Sequence, residues 1–303
     1  MTSKMKIVYV MKRHGHRARK LYPIVVEGFK KHNLQVICHD QYSYESDDLQ
    51  CVLQSHKDID LLIGPALYKF TIPLWKSDVR EQWLNTNMNF ISIERGHGSY
   101  RKQTFSMGYN GIMGEADFIN SNSDDKRWLS TNDIRKKIKR QLKPWRSEDD
   151  GEYVLIIYQK PGDSSLNSKT SKIPPVDIEA WVNEQRIKYE NLGYKVRVRT
   201  NSARKPRNGQ PLEDDFAGAK FVVICSSNCG VLAVEAGVPT VATHPISMVY
   251  DICKHTKTPD RSQWVKDLSY CHWTKAEIRS GEAWEHLKQA NFKAMLDARD
   301  ALE

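Results

Sequence analysis

The stretch that most constrains this chain is residues 221–241, FVVICSSNCGVLAVEAGVPTV. It opens on an unbroken apolar run, Phe221-Val222-Val223-Ile224-Cys225, rich in β-branched residues. Such a run reads as a strand covered on both faces. Ser226, Ser227 and Asn228 follow, each a favoured helix N-cap. The run over 231–236 can be helical, and Gly237 is a natural residue just past a helix end. Val238-Pro239-Thr240-Val241 reads as the next strand. The pattern predicts one βαβ unit.

Hydroxyls beside the free N–H groups of a helix start suit an anion such as a diphosphate. Glu235 lies seven and eight positions beyond Asn228 and Ser227, about two helical turns on and on the same face. A carboxylate there can accept hydrogen bonds from sugar hydroxyls. The plainer reading is a capped helix of any α/β domain, with Glu235 solvated.

Earlier in the chain, strand-like runs at 6–11, 34–38, 60–65 and 89–93 alternate with helical segments at 22–31 and 75–83. That alternation predicts a parallel, doubly wound lobe, with Pro23 in the first turn of its first helix. Lys12, Arg13, His14, His16, Arg17, Arg19 and Lys20 surround Gly15 after the first strand, at the ligand edge of such a sheet. This rim suits phosphates of nucleic acid or of a nucleotide sugar; the alternative is a solvated run at a helix start. Glu94 and His97, in Glu94-Arg95-Gly96-His97-Gly98, fall on a glycine-bracketed loop after the fourth strand. Either can act as general base on an acceptor hydroxyl, with Asp117 as a further carboxylate; a surface Glu–Arg pair is the rival reading. Residues 127–146 turn basic, and Lys136, Lys139, Arg140 and Lys143 share one helical face.

Ser147-Glu148-Asp149-Asp150-Gly151 reads as a linker, which divides the chain into domains over 1–147 and 148–283 and a terminal helix over 284–303 that can cross back. The second domain opens on a buried strand at 153–158, and Gln159 and Asp163 lie in the loop behind it, where a sugar or base pocket or a simple Pro-Gly turn fits. Residues 194–199 alternate strictly and read as a half-exposed, edge-type strand. His244 ends a later strand, where it reaches the ligand or packs. Thr274-Lys275-Ala276-Glu277 is a capping box.

The 303 residues are enough for two domains, and no apolar run approaches the ~20 residues of a membrane span. Six cysteines without CxxC spacing fit a reducing cytosol, and a net charge of +9 favours a polyanionic partner. No metal site is expected: Cys253, His255, Cys271 and His272 match no zinc spacing.

The segment S-S-N-C-G-V-L-A-V-E-A-G-V-P-T resembles the Ser-Ser…Glu-Ala…Gly-x-Pro segment of GT-B glycosyltransferases. The resemblance implies two Rossmann-like, doubly wound α/β domains facing a cleft, with Ser226 and Ser227 at a nucleotide diphosphate and Glu235 at the ribose. Glu-Ala-Gly-Val-Pro is shorter than the family's usual spacing, so the helix ends early. Further motifs over about 90–287, among them I-E-R-G-H-G, Y-N-G, Y-Q-K-P-G-D-S-S and P-D-R-S-Q-W…L-S-Y-C-H-W-T-K-A-E, are similar to bacteriophage glycosyltransferase-like proteins. That likeness implies a UDP-type nucleotide sugar as donor substrate, no separate cofactor, and modified pyrimidines in phage DNA as acceptor. It also implies a monomer or homodimer in the cytoplasm of an infected bacterium. Arg13, His14, Arg17, Arg19, Lys136, Lys139 and Arg140 would face the DNA; Gln159, Asp163, Asn228 and His244 complete the expected donor side.

Overall fold

The computed structural model describes residues 6–12, 16–41, 61–65, 89–109, 113–115, 118, 122–130, 134, 136, 138, 142–161, 163, 165–166, 176–200 and 211–289. Arg13, His14, Asp117, Lys139, Arg140 and the helix expected over 75–83 lie outside them. The strands are β1 (Lys6–Lys12), β2 (Gln35–Gln41), β3 (Leu61–Pro65), β4 (Asn89–Arg95), β5 (Thr104–Tyr109), β6 (Tyr153–Tyr158), β7 (Val196–Thr200), β8 (Ala219–Ile224), β9 (Thr240–Ala242) and β10 (His272–Thr274). The α-helices are α1 (His16–Lys30), α2 (Lys126–Leu129), α3 (Ile178–Asn191), α4 (Leu212–Gly218), α5 (Cys229–Glu235), α6 (Tyr250–Cys253), α7 (Ser262–Cys271), α8 (Lys275–Ser280) and α9 (Glu282–Leu287).

These strands form two sheets, ordered β10-β5-β4-β3-β1-β2 and β7-β6-β8-β9. In the first, β2, β1, β3 and β4 are parallel, but β5 runs antiparallel to β4 and β10 antiparallel to β5. The wholly parallel lobe read from the sequence is therefore a mixed sheet. The second sheet is parallel throughout. The parallel strands of both sheets follow one order: second, first, third, fourth.

Residue alternation explains how the second sheet is covered. Leu155, Ile157, Val222 and Ile224 point to one face, with Val231, Ala233 and Val234 of α5 and Trp264, Val265 and Leu268 of α7. Val154, Ile156, Phe221 and Val223 point to the other, with Ile178, Trp181 and Tyr189 of α3. A period of two in a strand buried on both sides gives that split. Asp177 caps α3, accepting from the N–H groups of Glu179 and Ala180 at 3.0 and 3.1 Å. β7 lies at the sheet edge, and its Arg197 and Arg199 both pair with the buried Asp215 of α4.

The first sheet is covered by α1 and by the segment that carries β10, α8 and α9. Leu21, Ile24, Val25 and Phe29 pack on Leu61, Ile63, Ile91 and Met107, joined by Trp273, Ile278, Trp284 and Leu287. The return to this sheet is made by His272, ahead of the terminal helix expected from residue 284. α1 and α8 approach so closely at Gly28 that a Cβ there would lie 1.9 Å from the Ile278 carbonyl oxygen. The Thr274–Glu277 capping box starts α8 as read. α1 begins at His16, so Pro23 sits inside the helix and not in its first turn. Arg17 and Arg19 lie on that opening stretch, so part of the basic run falls at a helix start, the alternative its sequence allowed.

One buried cation ties the returning segment down. Arg127 donates to the Ser269 and His272 carbonyls at 3.2 and 3.0 Å, and pairs with Glu282 at 2.7 Å and Glu277 at 3.1 Å. Its guanidinium stands 3.8 Å from the centre of the Trp273 ring. Replacing Arg127 by Leu removes a fork that α8 and α9 share. Urea unfolding should show a loss of about 3 kcal/mol. Arg127→Lys should recover only part of it, because one ammonium cannot span both carboxylates and carbonyls.

Candidate functional site

β8 ends at Ile224, and the chain turns through Cys225, Ser226, Ser227 and Asn228 into α5. The neighbouring strand β6 delivers Gln159, Asp163 and Ser165 at the same edge. Between these two strands the order of the sheet reverses. In open α/β sheets that reversal, at the strands' carboxyl ends, opens the crevice where ligands bind.

A closed polar network occupies the position. The Gln159 side-chain NH2 donates to the Ser165 and Ser226 hydroxyls, each at 3.1 Å. Its Oε1 accepts from the Ser226 backbone N–H at 2.9 Å. The Ser226 hydroxyl reaches Ser165 Oγ at 2.9 Å, and Ser165 donates onward to Asp163 Oδ1 at 2.8 Å. Gln159, Ser165 and Ser226 are all buried, and Ser226 has 0% exposure. Burial and this bonding turn the Ser226 hydroxyl inward, which corrects its expected contact with a diphosphate. Ser226 and Gln159 lock the loop instead, and exposed Asp163 is its outer end.

The helix start differs from the expectation too. α5 has seven residues, about 10 Å, and ends at Glu235. Gly237 follows in the left-handed region with φ +70°, as its place past the helix end required. Ser227 is buried and its Oγ accepts from the Cys229 N–H at 3.2 Å, so it supplies the cap. Asn228 makes no cap bond of its own; its Oδ1 accepts from the Gly98 N–H at 2.8 Å.

That bond joins the two sheets. Beyond β4 the chain forms a short 3-10 turn, Gly98–Lys102, that lies against α5. Glu235 is buried, and its Oε2 accepts from the Ser99 hydroxyl at 2.6 Å and the Ser99 N–H at 3.1 Å. Gly98 has φ +50°, and a Cβ there would stand 2.3 Å from Val231 and 3.0 Å from Glu235. Its lack of a side chain lets the turn close on α5. Tyr100, with 0% exposure, anchors the turn in the core around α5 and stacks on His272 at 4.3 Å. Exposed Arg101 and, from β7, Arg199 both bring positive charge to bear on the Cys229 thiol, although burial raises its pKa more.

The predicted base candidates divide. Glu94 is half-buried within β4, opposite Ser106, rather than on a loop. His97 is buried, with Nε2 3.2 Å from Ser106 Oγ. Its backbone N–H donates to His272 Nε2 at 2.9 Å, while His272 Nδ1 stands 2.7 Å from the Leu268 carbonyl. That pairing fixes His272 as the neutral tautomer protonated on Nδ1. His97 is thus buried at a junction between Ser106 of β5 and His272 of β10. His244 is buried as well; its Nδ1 accepts from the Ile246 N–H at 3.2 Å, and burial lowers its pKa. It packs, one of the two outcomes its place allowed. Lys136 is exposed, beside buried Ile134 and Ile138. Among the described residues, no group of three or more His, Cys, Asp or Glu could hold a metal ion, and no helix is long and apolar enough to cross a membrane.

No family model matches this chain. No curated protein matches it either. Among solved structures it is similar to Thermosulfurimonas dismutans KpsC, a beta Kdo 2,7 transferase, at 12% sequence identity and a TM-score of 0.50, over 94% of this chain and 100% of that one. It is also similar to a leucine-, isoleucine-, valine-, threonine- and alanine-binding protein from Brucella ovis, at 13% identity and a TM-score of 0.31, over 80% of this chain and 60% of that one. The second likeness is too loose to bear on the fold. The first is a likeness of fold: a mixed α/β chain containing a parallel sheet, matched end to end.

Burial drives the Glu235 pKa up from 4.5 to about 7, against the pull of the Ser99 hydrogen bonds. A raised carboxyl pKa contributes stability present in full below pH 4.5 and lost as pH rises through 7. Urea melts of the wild type should therefore weaken by about 3 kcal/mol across that window. Glu235→Gln should flatten the profile and be the more stable protein above it.

Proposed function

We propose that this chain is a glycosyltransferase that moves a sugar from a nucleotide-sugar donor, UDP-linked in the leading case, to a hydroxylated or hydroxymethylated pyrimidine in DNA. One observation carries the reading. The strand-end loops of the parallel sheet meet the strand-end turn of the other sheet around a buried carboxylate, in a fold shared over its length with KpsC. In this reading the second sheet carries the donor and the first carries the acceptor.

Glu235 accepts the ribose hydroxyls. Ser227, Asn228 and Arg101 lie beside the diphosphate, and Asp163 lies at the sugar end. Glu94 takes the proton of the acceptor hydroxyl as its oxygen attacks the anomeric carbon. The bond from that carbon to the diphosphate breaks, and the diphosphate leaves with the electron pair. Positive charge near Cys229 favours that departure. The net charge of +9, with Arg17 and Arg19 on α1 beside the first sheet, supports a polyanionic acceptor. A base in a duplex must leave the stack to reach the junction.

A glycan acceptor is the second reading, favoured by the sugar-transfer activity in the name of KpsC. Salt separates the two: binding of DNA should weaken steeply as salt is added, and binding of a glycan should not.

The direct test incubates the protein with hydroxymethylated DNA and a panel of nucleotide sugars, digests the DNA and weighs the nucleosides. One donor should add the mass of a sugar to the modified nucleoside, and Glu94→Gln should slow the transfer by at least ~100-fold. Unchanged masses across the panel overturn the DNA acceptor. Failure of every nucleotide to bind overturns the donor reading.

A further inference from the structure

Two ties run side by side between α5 and the turn after β4, and they differ in kind. The Gly98 N–H donates to the neutral side-chain amide of Asn228 at 2.8 Å. One residue on, the Ser99 O–H and N–H reach Glu235 Oε2 at 2.6 and 3.1 Å. The first tie cannot titrate, and the second can. A hydroxyl both donates and accepts, so the 2.6 Å contact serves the neutral acid as well as the carboxylate.

Charge separates the two forms. Glu235 is 3% exposed, and the bonds that reach its carboxyl among the described residues all come from Ser99. On the turn, Arg101 and Lys102 are exposed. At the end of α5, the Arg261 guanidinium is engaged with the Val234 and Lys143 carbonyls. Lys143 and Arg146 meet that end through their backbone N–H groups, at the Glu235 and Gly237 carbonyls. On α5 itself the other titratable group is Cys229, a thiol that burial keeps protonated. Behind the turn, the His97 N–H bonds to the ring of His272. An ionised Glu235 is therefore a buried charge without a cation, at the negative end of a helix. Parting the turn from α5 returns that charge to water, and Tyr100 leaves the core with the turn that carries it.

We propose that the Glu235 carboxyl is a proton-operated catch: uncharged, it holds the turn after β4 against α5, and ionised, it loosens that junction while both sheets stay folded. The catch goes beyond the donor reading and stands without it. Burial sets its range, since it holds the pKa at about 7 in the closed junction. The hold is complete below pH 4.5 and fades as pH rises through 7.

Native-state hydrogen exchange on the full-length protein tests this, read at the Gly98 and Ser99 amides and at amides of β6 and β8. In the wild type the opening constant of the two turn amides should rise about tenfold for each pH unit between 4.5 and 7 and level off above, as release of one proton requires. That rise should persist unchanged in low urea, where amides that exchange by global unfolding speed up. Glu235→Gln, shown to be folded by circular dichroism, should keep the junction closed with no pH dependence. A flat wild-type profile overturns the catch, and so does a turn without protection at any pH. A rise that Glu235→Gln retains overturns it as well, because another group then titrates. Turn amides as sensitive to urea as those of β6 and β8 also overturn it, since the carboxyl then acts on the whole fold and not on the junction. The wild-type series decides by itself should the variant fail to fold.

Discussion

A carboxylate buried between two sheets fixes how those sheets meet. Glu235 belongs to the helix after β8, and its donors belong to the turn after β4. An ionised group taken from water needs partners of good geometry, and here they arrive from a segment 136 positions away in the chain. Gly98 and Asn228 add a second bond alongside, and the His97 N–H adds a third to His272. Tyr100 then fills the core behind them. Four successive residues of one turn thus have their places set by the opposite sheet or by the strand that returns from it.

Much of this was legible in the residues, and the limits are physical. The unit over 221–241 was plain because a buried parallel strand needs a continuous apolar run and its helix needs a glycine stop. The edge character of β7 was legible from its strict alternation. Its arginines could be given no partner, because Asp215 lies in a helix whose approach is a tertiary fact. The antiparallel β5 and β10 were missed for a similar reason. His272-Trp273-Thr274 is too short to announce a strand, and it becomes one only by pairing with Ser106, Phe105 and Thr104.

The site shows the same divide at the level of single side chains. Ser226, Ser227 and Gln159 were singled out as polar groups at a ligand edge, and the structure brings them together there. Residue type alone could not tell which way they point. Ser and Gln satisfy one another as readily as they satisfy a ligand, and a network with every member bonded rigidifies the loop that carries it. Ser99 was passed over although it directly follows Gly98. The available signal was a serine one residue beyond a glycine-bracketed strand end, a weak signal until Glu235 lies opposite.

The shortness of α5 connects these points. The helix ends at Glu235, so this carboxylate sits at the negative end of the helix dipole as well as in a buried place. Both effects disfavour its charge, and its own sheet supplies no hydrogen bond to it among the described residues. Compensation has to come across the junction. The parallel sheet with its α5 therefore has this carboxylate satisfied only when the turn after β4 is docked against it.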